Sequence, residues 1–218
     1  MEPRSDPWLA AREAMVDQQL RGRGIRDARV LQAFLDVPRH LFVPPYRLDE
    51  AYADHPLDIG RGQTISQPFM VALMTEALTL RGGERVLEVG TGSGYQAAIL
   101  AKLCAVVYTI ERLADLSERA QALLEGMGIA NVRFRVGDGT LGWPEEAPFD
   151  RIIVTAGGPD VPASLQGQLA DGGRLVMPVG DRYGQDLVAV ERQGERFERE
   201  SHGGCVFVRL IGREGWPE

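Results

Sequence analysis

The most constraining feature of this sequence is a short apolar run that passes directly into a glycine-rich turn. Val86-Leu87-Glu88-Val89 is typical of a buried strand, and Gly90-Thr91-Gly92-Ser93-Gly94 follows it before a helical pattern begins. Gly90 and Gly92 permit a tight turn without side chains in the way, and Gly94 lets the next helix pack closely. The pattern predicts a turn whose residues, including Thr91 and Ser93, contact a nucleotide-like cofactor. A purely structural turn is the alternative.

Acidic residues end the next two apolar runs. Glu111 stands 21 residues after Gly90, where a carboxylate can accept both hydroxyls of a ribose, although a solvated carboxylate is also common there. We include its neighbour Arg112 in the predicted cofactor site. Asp138-Gly139 follows the run 132–136, and an acid between glycines can accept a hydrogen bond from an adenine amine. Asp138 could instead only shape the turn.

Strand-like runs recur from residue 85 onward, at 85–89, 105–110, 132–136, 151–155, 174–179, 186–191 and 205–211. Helical patterns lie between the earlier ones, at about 94–103, 113–127 and 162–170. This alternation predicts an α/β fold with a doubly wound, Rossmann-like, mostly parallel seven-stranded sheet and helices on both faces. The last two runs lack a helix between them, so one is expected to run antiparallel. Ligands of such sheets bind beyond the carboxyl ends of the strands, which predicts one rim carrying Gly90, Glu111, Asp138 and Thr155.

The first 80 residues predict an N-terminal helical extension. Helices are expected over 6–20, 27–36 and 69–80, with a proline-rich irregular stretch between the last two and a loop over 61–67. A length of 218 residues suits one α/β domain. We therefore predict a single domain, 1–218, in which 1–80 forms the helical and substrate-loop region and 81–218 forms the cofactor-binding core.

Composition and charge limit the kinds of partner that this protein is expected to bind. The net charge of −7 argues against a nucleic-acid-binding surface, and no apolar run is long enough to span a membrane. Cys104 and Cys205 show no disulfide or zinc spacing, and the three histidines show no metal-ligand spacing, so no metal is expected. The first residues lack the apolar segment of a secretory signal. These observations predict a cytoplasmic protein without membrane attachment, which we expect to be a monomer.

The order of residues in and before the glycine turn distinguishes two possible cofactors, NAD and S-adenosylmethionine. Dinucleotide sites use G-x-G-x-x-G against a pyrophosphate, whereas here the third glycine comes one residue early and Glu88 precedes the turn. A carboxylate beside a pyrophosphate is repelled, but one beside the cationic sulfonium and amine of S-adenosylmethionine is attracted. We therefore predict S-adenosylmethionine rather than NAD, with Glu88 as part of its site.

Several motifs resemble those of the protein-L-isoaspartate O-methyltransferases, a family of class I methyltransferases. They span about positions 15 to 212 and comprise Val37-Pro38-Arg39-His40-x-Phe42-Val43-Pro44, Gly62-Gln63-Thr64-Ile65-Ser66-Gln67-Pro68, the 86–97 segment, Gly137-Asp138-Gly139-x-x-Gly142-Trp143, Pro148-Phe149-Asp150-x-Ile152-x-Val154-Thr155-Ala156 and Gln168-Leu169-x-x-Gly172-Gly173-Arg174-Leu175. The segment 62–68 is the most specific, because many methyltransferases share the glycine turn.

The resemblance implies a protein-repair enzyme whose partners are isoaspartyl-containing proteins and peptides. The methyl group of S-adenosylmethionine passes to the free α-carboxylate of an L-isoaspartyl residue, which leaves S-adenosyl-L-homocysteine and an ester that closes to a succinimide. Ser66 matches the family's active-site serine, and Gln63, Thr64 and Ile65 match the adjoining substrate loop. Because the acceptor is already ionised, Ser66 is expected to aim it by a hydrogen bond. From the pattern alone, Ser66 could equally be the N-cap of the following helix.

Four residues depart from the family pattern, and two other functions are compatible with the sequence. Asp58, Arg61 and Phe69 replace residues common in the family, and Arg209 interrupts the usual Phe-Val-Pro-Leu ending, which leaves the C-terminal contribution to the site in doubt. A methyltransferase for a small molecule or nucleic acid would share the cofactor half but differ at 62–68. A cofactor-binding regulatory protein without catalysis is the alternative from another class.

Overall fold

Seven strands form one central sheet, and two more form a separate hairpin, in a computed structural model that describes residues 6–218. The hairpin consists of β1 and β2. In chain order the strands are β1 (Leu57–Gly60), β2 (Gln63–Ile65), β3 (Arg85–Val89), β4 (Val106–Glu111), β5 (Val132–Val136), β6 (Phe149–Val154), β7 (Leu169–Gly180), β8 (Gln185–Gln193) and β9 (Arg196–Cys205).

The order of strands in the central sheet is β5-β4-β3-β6-β7-β8-β9. The pairs among β3 to β7 are parallel, whereas β8 pairs antiparallel with both β7 and β9. From β3 the chain adds β4 and β5 toward one edge of the sheet, and it then adds β6 to β9 on the other side of β3. The predicted doubly wound sheet is confirmed, as is a single antiparallel strand among the last two.

In the described part of the chain, six α-helices flank the strands: α1 (Leu9–Ala14), α2 (Ala28–Asp36), α3 (Pro68–Ala77), α4 (Tyr95–Ala101), α5 (Ala114–Gly126) and α6 (Ala163–Gly167). One hydrophobic cluster joins α2 to α5, together with the segment Met15–Leu20 that follows α1, to one face of the sheet, and a second joins α6 to the opposite face. Within β3, Val86 belongs to the first cluster and Leu87 to the second. Because successive side chains of the central strands alternate between these two buried faces, apolar residues follow one another directly, as Val86 and Leu87 do in β3.

The N-terminal helices pack on the core through aromatic side chains. Asp27 caps α2 by accepting a hydrogen bond from the backbone of Arg29 at 2.8 Å. Phe34 of α2 is completely buried and meets Tyr95 of α4 edge to face, with ring centroids 5.9 Å apart. The first helix continues past α1 as π-helical and 3₁₀ turns until Gly24, which has a positive φ of 108°. The expected helical extension is thus joined to the sheet by a continuous core.

Two expected elements are wrong. The loop expected over 61–67 contains β2, which pairs with β1 through Leu57 and Ile65. Strands of three and four residues carry too little alternation to be recognised beside the glycine signals at Gly60 and Gly62.

The strand expected over 205–211 lies earlier, as β9, and residues 206–211 leave the sheet. β9 is an exposed edge strand that is polar on both faces, so no apolar pattern marks it. The charged run 191–200 forms the β8–β9 turn and the adjoining edge of the sheet.

Within residues 6–218, no helix combines the length and the apolar character that a membrane crossing requires. The same part of the chain contains no group of three or more His, Cys, Asp or Glu side chains placed to hold a metal ion.

We expect Phe34→Ala to lower the free energy of unfolding by about 3–5 kcal/mol, because it leaves a cavity between α2 and α4. If the chain is one domain, circular dichroism and tryptophan fluorescence in urea should give coincident transitions that shift together. Phe197→Ala is the matched control, since Phe197 is 39% exposed on β9 and should change stability by no more than about 0.5 kcal/mol. Loss of only a first, separate transition would argue for two domains.

Candidate active site

The carboxyl ends of β3, β4 and β6 meet at one rim of the sheet. The Gly90 amide donates to the Ile110 carbonyl at 2.8 Å, and the Thr155 amide donates to the Val89 carbonyl at 2.9 Å. Gly90 has a φ of 99°, and a Cβ there would lie 2.3 Å from the Thr155 hydroxyl oxygen. Only glycine therefore allows β3 to turn this closely beside β6.

Gly94 controls the helix that follows the turn. It precedes α4 with a φ of 85°, and a Cβ there would lie 3.0 Å from both Ala120 and Leu124 of α5. The close approach of α4 to α5 confirms the packing role expected for this glycine.

A pocket with about 850 Å³ of space between its lining atoms, including its opening to solvent, lies on this rim. Its walls come from the β1–β2 hairpin and α3, the glycine turn and α4, the ends of β4 and β6, and a C-terminal segment. The structure brings together in these walls most of the site residues expected from the sequence, namely Gln63, Thr64, Ile65, Ser66, Gly90, Thr91, Gly92, Ser93, Glu111, Arg112 and Gly139.

Glu111 is held rigidly at the end of β4. One carboxylate oxygen accepts a hydrogen bond from the Gly92 amide at 2.9 Å, and the other accepts one from the Leu113 amide at 3.0 Å. The side chain is buried but lines the pocket. A carboxylate fixed by two backbone donors presents its remaining lone pairs in a defined direction, as binding of a diol requires. The adjacent Arg112 also lines the pocket and pairs with Glu218 at 3.1 Å.

Glu88 does not line the pocket, which corrects the expectation that it lies beside the sulfonium. It sits beneath the glycine turn, fully buried, and accepts a hydrogen bond from the Thr109 hydroxyl. Thr109 in turn lies 2.6 Å from the hydroxyl of Thr91. Alternation along β3 directs Glu88 and Val89 to opposite faces, and Val89 is the one that lines the pocket.

The surroundings of Glu88 favour its neutral form. Burial raises the pKa of this carboxyl to about 8, with a smaller contribution from the charge of Glu111 and an opposing one from the Thr109 hydrogen bond. Its other carboxyl oxygen has no hydrogen-bond partner among residues 6–218. Glu88 therefore supports the turn through Thr109 and Thr91 and brings no direct charge to the pocket.

The hydrogen bonds of Asp138 are those expected of a residue that shapes its own turn. One oxygen accepts hydrogen bonds from the Thr140 amide at 2.9 Å and the Thr140 hydroxyl at 2.7 Å. The other accepts one from the Arg213 amide at 2.7 Å, and these hydrogen bonds hold the pKa of Asp138 below its usual value. Its neighbour Gly139 lines the pocket, whereas the Asp138 side chain faces the turn and the C-terminal segment. An adenine contact by Asp138 stays a prediction.

Ser66 is not the cap of the helix that follows it. The N-cap of α3 is Gln67, no side chain caps that end, and Pro68 takes the first helical position. Ser66 is instead fixed through its backbone, because its carbonyl accepts a hydrogen bond from Arg39 at 2.9 Å. Ser66 lines the pocket, and its hydroxyl forms no hydrogen bond with another residue of 6–218.

Two groups of pocket-lining residues were not predicted from the sequence. Tyr95 and Gln96, in the first turn of α4, line it, and their helical position after the glycine turn is the signal that could have found them. The segment Val208–Ile211 also lines it, because the Gly157 amide donates to the Val208 carbonyl at 2.7 Å and the Leu210 amide donates to the Gly157 carbonyl at 2.9 Å. The local sequence pattern does not predict this long-range contact. Arg209 was noted only as a departure from the family's C-terminal motif.

The doubly wound sheet, the glycine turn after β3 and the pocket-lining acid at the end of β4 together define a class I methyltransferase. Comparison with known proteins agrees. A family model described as "Protein-L-isoaspartate(D-aspartate) O-methyltransferase (PCMT)" matches residues 10–215. The chain belongs to this family.

Relatives resemble the chain over nearly its whole length. Protein-L-isoaspartate O-methyltransferase 1 of Syntrophobacter fumaroxidans is 56% identical over 206 residues, covering 94% of this chain and 96% of that protein. The Geobacter metallireducens protein-L-isoaspartate O-methyltransferase is 56% identical over 207 residues, with 94% and 96% covered.

Solved structures share the fold. One protein-L-isoaspartate O-methyltransferase superposes with a TM-score of 0.85 at 33% identity, covering 94% of this chain and 67% of that one. A candidate member from Plasmodium falciparum, in complex with S-adenosyl-L-homocysteine, has a TM-score of 0.80 at 27% identity, covering 92% and 98%.

We expect Glu88→Gln to reduce the pH dependence of stability. The unfolded chain loses the Glu88 proton near the ordinary pKa of 4.5, whereas the folded chain keeps it up to about pH 8. Between these values the folded state binds more protons, so Glu88 lowers the free energy of unfolding as pH rises, by about 1.4 kcal/mol per pH unit at most. Urea titrations at about pH 5 and about pH 8 should show a larger loss in the wild type than in the variant.

Glu195→Gln is the control for this comparison, because Glu195 lies exposed in the turn between β8 and β9. It should follow the wild type at both pH values. Identical pH dependence in the wild type and Glu88→Gln would show that Glu88 is ionised in the folded protein.

Proposed function

We propose that this chain transfers a methyl group from S-adenosylmethionine to the free α-carboxylate of L-isoaspartyl residues in damaged proteins and peptides, and so begins their repair. The observation that carries the proposal is that Gln63–Ser66 and the glycine turn line the same pocket. The segment that most specifically resembles the family's acceptor loop therefore lies against the part that resembles its cofactor site. Membership of the family and the names of its relatives support the same activity.

The pocket residues fit an adenosyl cofactor. The backbone of Gly90, Gly92 and Gly139 offers side-chain-free surface, and the fixed Glu111 carboxylate offers acceptors for the two ribose hydroxyls. Thr91, Ser93 and Arg112 complete the polar walls. We propose these residues as the cofactor site; S-adenosylmethionine, when bound, supplies an activated methyl group.

The chain's remaining task is to position the acceptor. An α-carboxylate with an ordinary pKa of about 3.5 is ionised at neutral pH, so no general base is needed. We propose that the Ser66 hydroxyl donates a hydrogen bond to one carboxylate oxygen, while Gln63, Thr64 and Ile65 form the wall beside it. Val208–Ile211 cover the opposite side and exclude water. Orientation of this kind can supply up to about 7–11 kcal/mol of the barrier.

The products follow from this chemistry. Transfer gives a methyl ester and S-adenosyl-L-homocysteine. The ester closes spontaneously to a succinimide, and hydrolysis of the succinimide returns part of the material as normal aspartyl residues.

We further propose that the protein acts in the cytoplasm, as a monomer, on proteins and peptides rather than on nucleic acid. Cys104 and Cys205 are both free thiols, as a reducing compartment favours. The net charge of −7 disfavours a nucleic-acid partner.

A paired-peptide assay tests the function. Tritiated methyl transfer should label an isoaspartyl peptide strongly and its normal aspartyl twin weakly or not at all, since only the first presents the free α-carboxylate at the β-linked position. Equal labelling of the twins, or none, would overturn the repair assignment. Transfer to a small molecule or nucleic acid would then indicate a different methyltransferase, and cofactor binding without transfer would indicate a regulatory protein.

Ser66→Ala should lower kcat/KM for the isoaspartyl peptide by about 10- to 100-fold, the usual value of a hydrogen bond to a charged group. Calorimetry should show unchanged affinity for S-adenosylhomocysteine, because Ser66 belongs to the acceptor side. Ser201→Ala, a remote exposed serine on β9 that hydrogen-bonds Asp186, should leave both quantities unchanged. A folded Ser66→Ala enzyme with wild-type turnover and peptide affinity would remove Ser66 from the mechanism.

A further inference from the structure

Arg39 is a fully buried cation that has no counter-ion among residues 6–218. It lies in a 3₁₀ turn, Arg39–Phe42, with 0% of its surface exposed. It forms no salt bridge with any carboxylate of residues 6–218, and its guanidinium nitrogen Nη1 has no hydrogen-bond partner there. Burial lowers the pKa of Arg39 to about 10, which leaves it charged at neutral pH. A buried charge of this kind is costly unless something compensates it.

The contacts of Arg39 place it directly behind the pocket wall. Its Nη2 donates to the carbonyl of Ser66, and its Nε donates to the carbonyl of Ala51, both at 2.9 Å. The guanidinium carbon lies 4.9 Å from the ring centroid of Tyr95. Ser66 and Tyr95 both line the pocket, and the hydroxyl of buried Tyr95 also lacks a hydrogen-bond partner among residues 6–218.

The reaction described above brings an anion to this wall. The acceptor must enter as a carboxylate, and a positive charge buried behind the pocket wall attracts it more strongly than the same charge in solvent would. The neutral ester that leaves lacks this attraction. Arg39 is therefore suited to binding the substrate and releasing the product.

We propose that Arg39 is a positioning and specificity-determining residue for the methyl acceptor. Its hydrogen bond fixes the Ser66 backbone, and its uncompensated charge makes the Ser66 end of the pocket selective for a carboxylate over a neutral group. The proposal rests on the proposed function, since the anion it concerns is the isoaspartyl α-carboxylate.

Two peptides separate the electrostatic role from a structural one. Both carry the same β-linked residue, but one has a free α-carboxylate and the other an α-carboxamide. Their dissociation constants are measured by calorimetry in the presence of S-adenosylhomocysteine, and their ratio reports selectivity for charge. A general loss of packing weakens both peptides and leaves the ratio unchanged.

The wild type should prefer the carboxylate, and Arg39→Met should reduce that preference about tenfold, equivalent to about 1.4 kcal/mol. Arg39→Lys keeps the charge and should retain most of the ratio while lowering kcat, because a single ammonium group cannot reproduce both carbonyl contacts. Arg151→Met is the matched control. Arg151 is a half-buried arginine that also donates to two backbone carbonyls, those of Leu78 and Asp150, and it lies outside the pocket walls.

A folded Arg39→Met protein with the wild-type ratio overturns the proposal. If Arg39→Met does not fold, the neutral variant Arg39→Gln decides: a reduced ratio supports the proposal, and the wild-type ratio overturns it. Failure of the wild type to methylate the isoaspartyl peptide is a separate result, which overturns the proposed function and this inference with it.

Discussion

The parallel pairing of β3 between β4 and β6 is the constraint on which the rest of the structure depends. It brings the ends of three strands to one rim, so that the Gly90 amide reaches the Ile110 carbonyl and the Thr155 amide reaches the Val89 carbonyl. Both faces of these strands are buried, so a one-residue slip would exchange the side chains that pack in the two hydrophobic clusters. The glycine turn, the Glu111 carboxylate and the pocket all take their positions from this pairing.

The pocket walls that lie outside the central sheet are assembled differently, from segments far apart in the chain. The β1–β2 hairpin carries Gln63–Ser66, and the C-terminal segment Val208–Ile211 reaches it over the sheet. Neither belongs to the central sheet, so each needs its own anchor. Arg39 holds the first through the Ser66 carbonyl, and Gly157 holds the second through two backbone hydrogen bonds.

The elements predicted correctly are those with long or distinctive local signals. The strands β3, β4 and β6 contain clusters of apolar residues, and β5 alternates apolar and basic residues. Asp27 is a capping residue at the start of α2. The β1–β2 hairpin and β9 were missed because very short strands and doubly exposed edge strands leave no apolar period to detect. For the site, placement of Glu111 and Ser66 in one pocket was predictable from motifs, whereas the burial of Glu88 away from the pocket was not.

The sequence by itself determined the class of fold, the glycine turn and the resemblance to one methyltransferase family, because these depend on residue type and spacing along a continuous stretch. Only the tertiary structure decided which atoms share a cavity. It buried Glu88 beneath the glycine turn and hydrogen-bonded Asp138 to Thr140 and Arg213. It also placed Arg39, which has no counter-ion among residues 6–218, behind Ser66. The physical reason is that hydrogen-bond partners and burial depend on contacts between distant segments, which no local pattern specifies.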